Sequence, residues 1–341
     1  MNCYKARQRV IVVSDPSGVG EARREIAALG ASIELDQARA GDLALAVTET
    51  ASNIVKHARE GQIVGRIISY NGTLGIEVLG LDKGTGISSV ATSMRDGHST
   101  SGTPGQGLGA LSRITSAMEI WSNPAGGTIL RFEVWPKASP ALNGSAVTGV
   151  VCMAKTGETA CGDGWVVLEK DNRVIVFIGD GLGHGPEAAD VMRVAVDVVE
   201  KYPDLDAASL MDILHGALRP TRGAAGAVAV LKPDSRECEF CGVGNISAVI
   251  RVAGKGHSMV SNNGTLGHHI RKLQQYQYSF PPNALFIGHS DGITTHWDLA
   301  AYPGLESRHP AVIAATLFRD HSRGRDDATV LALRHGMRGR I

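Results

Sequence analysis

Acidic residues followed by small residues recur in the second half of the chain, and they could supply ligands for hard metal ions. They lie in Cys161-Gly162-Asp163-Gly164, Gly179-Asp180-Gly181-Leu182-Gly183-His184-Gly185, Ser290-Asp291-Gly292 and Asp326-Asp327-Ala328-Thr329. We expect each aspartate to end an apolar, β-branched run, so that four strands aim carboxylates at one point. Such a site selects Mg²⁺ or Mn²⁺ over zinc. Two ions could share a bridging water and aim it at phosphorus. The candidate ligands are Asp163, Asp180, Asp291 and Asp326 or Asp327, with the carbonyl of Gly181.

Each of these motifs also has a purely structural interpretation. An aspartate followed by glycine often marks a turn, so one motif alone carries little weight, whereas four in series favour a shared site. His184 is either a surface histidine between glycines or a residue that approaches the site. The residues themselves leave open which of Asp326 and Asp327 would bind metal.

A second set of residues, in the first half, could bind a nucleotide. Glu49 and Asn53 are four residues apart, which places them on one face of a predicted helix. The asparagine could offer Mg²⁺ a neutral oxygen, and the glutamate could orient or deprotonate an attacking hydroxyl. An exposed polar pair is the alternative, and His57 fits best as a helix-end residue.

Glycines surround the other candidate nucleotide contacts. Asp82 follows an apolar strand and could accept a hydrogen bond from an adenine amino group, with Gly84 and Gly86 leaving room for the base. Phosphate would lie where a helix begins, because unpaired amides and the helix dipole favour anions there. The glycines at that helix are Gly105, Gly107 and Gly109. The sequence has no Gly-x4-Gly-Lys-Ser/Thr motif, so the pattern is not a P-loop.

Length and composition favour a two-domain protein that binds neither nucleic acid nor membrane. The chain has 341 residues, and 34 Lys and Arg balance 34 Asp and Glu. No apolar run approaches the roughly 20 residues of a membrane helix, and no signal-peptide pattern is present. Five cysteines at irregular spacing fit a reducing compartment, and Cys238 and Cys241 fit a strand better than a metal site. We therefore expect a cytoplasmic protein.

The predicted helices and strands that carry the two sets of candidate site residues fall into two groups, separated by a linker. The pattern predicts helices over residues 16–29, 35–57 and 108–117, and strands over 10–13, 63–69, 74–81, 118–122 and 127–135. Helices on one face of a mixed sheet form an α/β sandwich. The composition of residues 137–146 is that of a linker, which predicts domains at 1–136 and 147–341. Strands dominate the second domain and favour a β-sandwich flanked by helices, so the whole chain is of the α+β class.

The nucleotide-binding motifs of the first half resemble the GHKL ATPases, and more narrowly the anti-sigma-factor serine kinases of the RsbT type. The likeness covers roughly residues 8–135 and is carried by Glu49-Thr-Ala-Ser-Asn53, Asp82-Lys-Gly84-Thr-Gly86, Ser99 through Gly109, and Gly127-Thr128. It implies ATP with Mg²⁺, Asn53 as the metal ligand, Asp82 as the adenine contact and Glu49 as the catalytic base. The same resemblance implies a serine or threonine on a small STAS-domain protein as the substrate. The implied nucleotide pocket also includes Gly84, Gly86, Gly105, Gly107, Gly109 and Thr128.

The acidic motifs of the second half resemble the PPM-type metal-dependent serine/threonine phosphatases, specifically the SpoIIE-like branch. The match spans roughly residues 147–335, and its compact length is similar to that of the RsbX-type phosphatases. It implies two Mn²⁺ or Mg²⁺ ions, and the family pattern favours Asp326 over Asp327 as a ligand.

Together the motifs predict a bifunctional regulator. It would phosphorylate and dephosphorylate a STAS-domain anti-sigma antagonist or a stressosome-type scaffold, and so control a sigma factor or a related output. The alternative is that the first half holds ATP and its partner without phosphorylating it, so that only the phosphatase half is an enzyme. A third hypothesis is that the phosphatase half acts on an unrelated phosphoprotein. The sequence leaves a homodimer open.

Overall fold

A computed structural model describes residues 2–4, 8–70, 72–94, 107–124, 126–136 and 146–335. The chain divides into two compact units. The N-terminal unit comprises Ala6–Ala141 and Leu299–Arg319, and the C-terminal unit comprises Met1–Lys5, Leu142–Asp298 and Asp320–Arg340. Residues 1–5 and 299–319 therefore group differently from the sequence-based domains. Strand β1 (Asn2–Tyr4) belongs to the C-terminal unit. Residues 137–145 of the predicted linker lie outside the described residues.

The N-terminal unit contains one sheet with strand order β2-β3-β4-β6-β5, packed against helices. All of its described pairings are antiparallel, so the expectation of a mixed sheet was wrong. The reason is that short turns join β3 to β4 and β5 to β6, and such turns reverse the chain. The strands are β2 (Arg9–Val13), β3 (Gly61–Tyr70), β4 (Thr73–Asp82), β5 (Ala117–Asn123) and β6 (Gly127–Val134). The helices are α1 (Pro16–Ser32), α2 (Gln37–Ala58), α3 (Val90–Ser93) and α4 (Gly107–Ile114).

Helix α2 carries one apolar face into this core and leaves a polar flank. Its buried residues recur at helical spacing and include Leu43, Val47 and Ile54, which pack against the sheet. Glu49 and Asn53 fall between those positions and are half-buried. The period of the helix therefore places both polar side chains at the border of the core.

The C-terminal unit is a β-sandwich with helices on one outer face. One sheet has the order β1-β8-β9-β10-β11-β14, with β15 beside β11, and the other has the order β13-β12-β16-β17-β7. The first strands are β7 (Ala146–Met153), β8 (Asp163–Lys170), β9 (Arg173–Gly181), β10 (Ala224–Lys232), β11 (Glu237–Val243) and β12 (Ser247–Val252). The others are β13 (Lys255–Ser258), β14 (Ser261–Asn262), β15 (Tyr276–Ser279), β16 (Leu285–His289) and β17 (Ala328–His335). The helices are α5 (Pro186–Lys201) and α6 (Ala207–Ala217), whereas α7 (Pro310–His321) belongs to the N-terminal unit as far as Arg319.

Two apolar clusters hold the layers of this unit together. One contains side chains from both sheets, including Trp165, Phe240 and Phe286. The other contains side chains of α5 and α6 together with the opposite face of β8 and β9, including Phe177 and Leu210. The rigid sandwich therefore brings residues that are distant in sequence to common edges. Within the described ranges, no helix is both long and apolar enough to span a bilayer.

Candidate functional site

Backbone hydrogen bonds fix the side chain of Asp82 at the end of β4. Its Oδ1 accepts hydrogen bonds from the amides of Gly84 (2.8 Å) and Thr128 (3.2 Å). Burial raises the pKa of Asp82, and these amides oppose the rise. Its backbone carbonyl accepts a hydrogen bond of 2.9 Å from Arg319. The carboxylate is therefore held in one orientation and can act as an acceptor for a polar ligand.

Close backbone contacts around Asp82 exclude larger residues from two glycine positions. Gly86 has a φ of +70°, and a Cβ there would lie 2.3 Å from the Asn123 carbonyl. Gly127 has a φ of +79°, and a Cβ there would lie 2.0 Å from the Asp82 carbonyl. Only glycine meets both requirements without strain, so the glycines predicted from sequence have a structural basis here.

The Glu49 carboxylate lies against the beginning of helix α4. A Cβ built on Gly107 would approach Glu49 Oε1 to 2.1 Å, so glycine gives the acid its space. Asn53 is about one turn further along α2. Gly109 is buried in α4, whereas Gly105 lies outside the described residues. The structure thus brings Glu49 to a helix N-terminus, where anions are favoured.

Ser122 completes the polar network and was missed by the sequence analysis. Its Oγ lies 2.9 Å from Thr128 Oγ1 and accepts a hydrogen bond of 2.7 Å from the Ile87 amide. It thereby ties the strand that carries Thr128 to the segment after Gly86. A lone serine within a strand pattern gives no sequence signal for this role.

Asp163 and Asp180 lie side by side on neighbouring strands of the C-terminal unit. They are Cα partners in the β8–β9 pair. Asp163 is 6% exposed, its Oδ2 accepts a hydrogen bond of 2.6 Å from Ser290 Oγ, and its Oδ1 has no hydrogen-bond partner in the described structure. Burial raises the pKa of Asp163 well above its usual value, and the charges of Cys152 and Asp180 add to the rise.

The remaining candidate aspartates lie close enough to interact with Asp180. Burial raises the pKa of Asp180 to about 7, and repulsion from Asp291, Asp326 and Asp327 contributes. Asp291 follows β16, and its Oδ2 accepts a hydrogen bond of 2.6 Å from Asn245. The expectation that each aspartate ends a strand was wrong, because Asp163 begins β8, and Asp326 and Asp327 precede β17. Adjacent strands run in opposite directions, so strand starts and strand ends meet at one edge.

Asp326 and Asp327 have different environments. Asp327 is 3% exposed, and its two carboxylate oxygens accept hydrogen bonds from the amides of Lys155 (2.7 Å) and Gly162 (2.9 Å). Asp326 is exposed, and its Oδ1 accepts a hydrogen bond of 3.0 Å from the Asp327 amide. Asp327 therefore holds the β7–β8 connection, whereas the Asp326 side chain is accessible to a ligand.

These donors suit a hydrated divalent cation better than a closed metal cage. In the described parts of the chain, no three or more His, Cys, Asp or Glu side chains are gathered tightly enough to enclose an ion. Mg²⁺ usually keeps several waters and takes only one or two carboxylates from the protein. A cation would also satisfy the buried Asp163 Oδ1 and relieve the repulsion around Asp180. The residues present therefore fit the predicted type of ion.

Charged side chains flank the glycine-rich segment that follows β9. His184 Nδ1 lies 2.6 Å from Glu158 Oε1, so His184 is held by an acid that the sequence analysis missed. Arg222 pairs with Glu187 and donates to the Leu182 carbonyl at 3.3 Å.

Cys238 and Cys241 are buried in β11, and burial raises the pKa of both thiols.

Family models match both parts of the chain. The histidine kinase-like ATPase domain matches residues 12–134, and stage II sporulation protein E (SpoIIE) matches residues 170–336. Serine/threonine-protein kinase RsbT of Bacillus subtilis (strain 168) is 34% identical over 101 residues, which cover 30% of this chain and 74% of RsbT. Phosphoserine phosphatase RsbX of the same organism is 26% identical over 147 residues, which cover 43% of this chain and 74% of RsbX.

Solved structures support the same relationship. One, described as the bacterial stressosome, a modular system adapted to control secondary messenger signalling, is 28% identical with a TM-score of 0.53, and the match covers 56% of this chain and 100% of that chain. RsbX in complex with magnesium is 24% identical with a TM-score of 0.50, covers 57% of this chain and 97% of its own, and shows the shared fold. The predicted family resemblance and α+β fold class are confirmed. The chain therefore belongs to the RsbT-related histidine kinase-like ATPases through its N-terminal part and carries a SpoIIE-type PPM phosphatase domain in its C-terminal part.

Proposed function

We propose that the protein is a bifunctional cytoplasmic regulator that phosphorylates and dephosphorylates a STAS-domain protein on serine or threonine. The observation that carries the proposal is the acidic edge of the C-terminal unit, defined by Asp163, Asp180, Asp291 and Asp326. There, within the part of the chain that the structure describes, the buried Asp163 Oδ1 has no hydrogen-bond partner, and Asp180 is surrounded by like charges. The relationship to both RsbT and RsbX supports opposed activities in one chain. The target would be an anti-sigma antagonist or a stressosome-type scaffold, and the output a sigma factor or a related pathway.

In the kinase reaction, the described residues of the N-terminal unit have separate roles. Asp82 would accept a hydrogen bond from the adenine amino group, because backbone amides hold its carboxylate in place. The beginning of α4 would hold phosphate, and Asn53 would hold Mg²⁺. Glu49, which lies against Gly107, would take the proton from the substrate hydroxyl.

In the phosphatase reaction, the acidic edge would bind two Mn²⁺ or Mg²⁺ ions through Asp163, Asp180, Asp291, Asp326 and the Gly181 carbonyl. When bound, such ions lower the pKa of a shared water and stabilise charge on the phosphoryl group. Ser290 would orient Asp163, and Asn245 would orient Asp291 through the hydrogen bonds described above. Asp327 would act indirectly, because its carboxylate is already bound by backbone amides.

The kinase proposal is tested with Glu49→Ala in the full chain. Labelled ATP and candidate STAS proteins should give a phosphorylated partner with the unmodified chain and none with Glu49→Ala, while partner binding persists. Glu25→Ala, on the exposed side of α1, is the matched control. If the unmodified chain binds the partner in the presence of ATP without labelling it, the N-terminal unit is a binding module and only the phosphatase is an enzyme.

The phosphatase proposal is tested with phosphorylated STAS proteins and Mn²⁺. Release of phosphate by the unmodified chain but not by Asp180→Asn would support it. Activity on an unrelated phosphoprotein combined with none on any STAS protein would refute the proposed target while leaving the chemistry intact.

A further inference from the structure

We propose that Cys152 and Cys161 form an oxidisable dithiol site, which closes to an intrachain disulfide and loosens the acidic edge. The two Sγ atoms lie 3.6 Å apart, and both residues are reduced cysteines of intermediate exposure. A disulfide requires an S–S distance of about 2.05 Å, so the sulfurs must approach by about 1.5 Å. The consequence for catalysis rests on the proposed phosphatase function.

The backbone of Cys152 is held by a sheet and that of Cys161 is not, so Cys161 is the residue that would move on disulfide formation. Cys152 is in β7, where it is the Cα partner of Thr329 in β17, so the sandwich holds its backbone. Cys161 lies in the connection between β7 and β8, outside any strand. Closure of the disulfide would therefore draw the Cys161 segment toward the sheet.

The residue after Cys161 carries the contacts that closure would disturb. The Gly162 amide donates to Asp327 Oδ2 at 2.9 Å, and its carbonyl accepts a hydrogen bond of 3.0 Å from the Gly181 amide. The segment has little slack, because a Cβ on Gly162 would lie 2.7 Å from Asp327 Oδ2 and 2.8 Å from the Ala188 Cβ. A shift of Cys161 would therefore reach both Asp327 and the end of β9, next to Asp180.

Hydrogen peroxide supplies the oxidising equivalents. One thiol sulfur attacks a peroxide oxygen, giving a sulfenic acid and water, and the second thiol then attacks the sulfenic sulfur, forming the S–S bond and releasing a second water. Two thiols and one peroxide thus give one disulfide and two waters. Cys238 and Cys241 are fully buried in β11, so peroxide reaches this pair in preference to those two thiols.

The experiment compares the reduced and peroxide-treated full chain. We expect a peptide map to show a Cys152–Cys161 cross-link with two hydrogens fewer, and faster amide hydrogen exchange over residues 155–163. Mn²⁺-dependent hydrolysis of p-nitrophenyl phosphate should fall at least about tenfold, as when partners of metal ligands are displaced. Dithiothreitol should reverse all three changes.

Cysteine variants show whether the effect of peroxide comes from the Cys152–Cys161 disulfide or from oxidation elsewhere in the chain. Cys152→Ser and Cys161→Ser should be active when reduced and insensitive to peroxide, whereas Cys3→Ser should respond like the unmodified chain. Absence of the cross-link, an unchanged exchange rate in the cross-linked chain, or full inhibition of Cys161→Ser would each overturn the proposal. If the reduced chain hydrolyses no phosphoester, the proposed function fails, but the peptide map and the exchange rates still decide the dithiol site.

Discussion

Glu77 of the N-terminal unit is buried and Asp180 of the C-terminal unit is half-buried, and the charges around the two carboxylates are opposite. Glu77 is 1% exposed and lies 2.7 Å from an Arg66 nitrogen and 2.8 Å from Arg131 Nε. Burial alone would raise its pKa, but the two arginines lower the pKa of Glu77 to about 2. Around Asp180, burial and neighbouring carboxylates act in the same direction and raise its pKa to about 7.

This is the difference that we expect between a structural carboxylate and the metal-binding one that we propose at Asp180. Desolvation disfavours a charged carboxylate, so a fold retains it at low cost only where cations compensate. The protein supplies those cations for Glu77 and supplies additional anions for Asp180. At the acidic edge like charges therefore lower the stability of the fold, which is typical of functional sites and supports the proposed metal binding.

Removing a charge from the acidic edge should have the largest effect. We expect Asp180→Asn to lower Mn²⁺-dependent phosphatase activity by about 100-fold or more, because changes to groups that merely support metal ligands already cost 10- to 100-fold. The metal-stripped variant should nevertheless melt at a higher temperature than the metal-stripped parent, because repulsion is relieved. Asp190→Asn, an exposed position on α5, should change neither quantity. A lower melting temperature for Asp180→Asn would contradict the conclusion that like charges around Asp180 destabilise the metal-free fold.

Removing the Glu77 charge should act on stability instead. Glu77→Gln leaves Arg66 and Arg131 buried without their full partner, which typically costs about 3–5 kcal/mol. Urea unfolding measures the loss. Glu25→Gln is the matched control, because its pair with Arg9 is exposed at 3.8 Å and should contribute at most about 1 kcal/mol. Equal losses in both variants would show that burial of Glu77 is not the cause.

Substitutions of the two adjacent aspartates should have different effects, one on the stability of the fold and the other on metal binding. Asp327→Asn weakens the acceptor for the Lys155 and Gly162 amides, so we expect a loss of about 1–3 kcal/mol in unfolding free energy. Asp326→Asn should not lower stability, because its side chain is exposed and repels Asp180, and it should weaken Mn²⁺ binding measured by calorimetry. The reverse assignment would follow if Asp327→Asn bound no metal while keeping full stability.

The pH dependence of stability should have opposite signs at the two sites. The contribution of Glu77 is complete above pH 4.5 and is lost as the pH falls toward about 2, because folding lowers its pKa. In metal-stripped protein, the contribution of Asp180 is complete below pH 3.8 and is lost as the pH rises through about 7. Each slope is at most about 1.4 kcal/mol per pH unit. Urea unfolding across this range should lose the first slope in Glu77→Gln and the second in Asp180→Asn.

Local patterns were sufficient for much of the fold. The spacing of Leu43, Val47 and Ile54 predicted the buried face of α2, and Asn71-Gly72 predicted the turn between β3 and β4. The directions of the strands were harder, because the period of two along a strand is the same for parallel and antiparallel neighbours. For this reason the predictions of a mixed sheet and of an aspartate at each strand end were wrong.

Amino-acid types and motif order by themselves determined the two families and the pool of acidic residues from which a metal site could be built. Only the tertiary structure decided which acids are compensated. Asp327 is held by an amide 172 residues away, and Glu77 by arginines on two neighbouring strands, so neither environment is visible in a local segment. The physical reason is that desolvation and charge interactions depend on distance in space, which chain folding sets and sequence spacing does not.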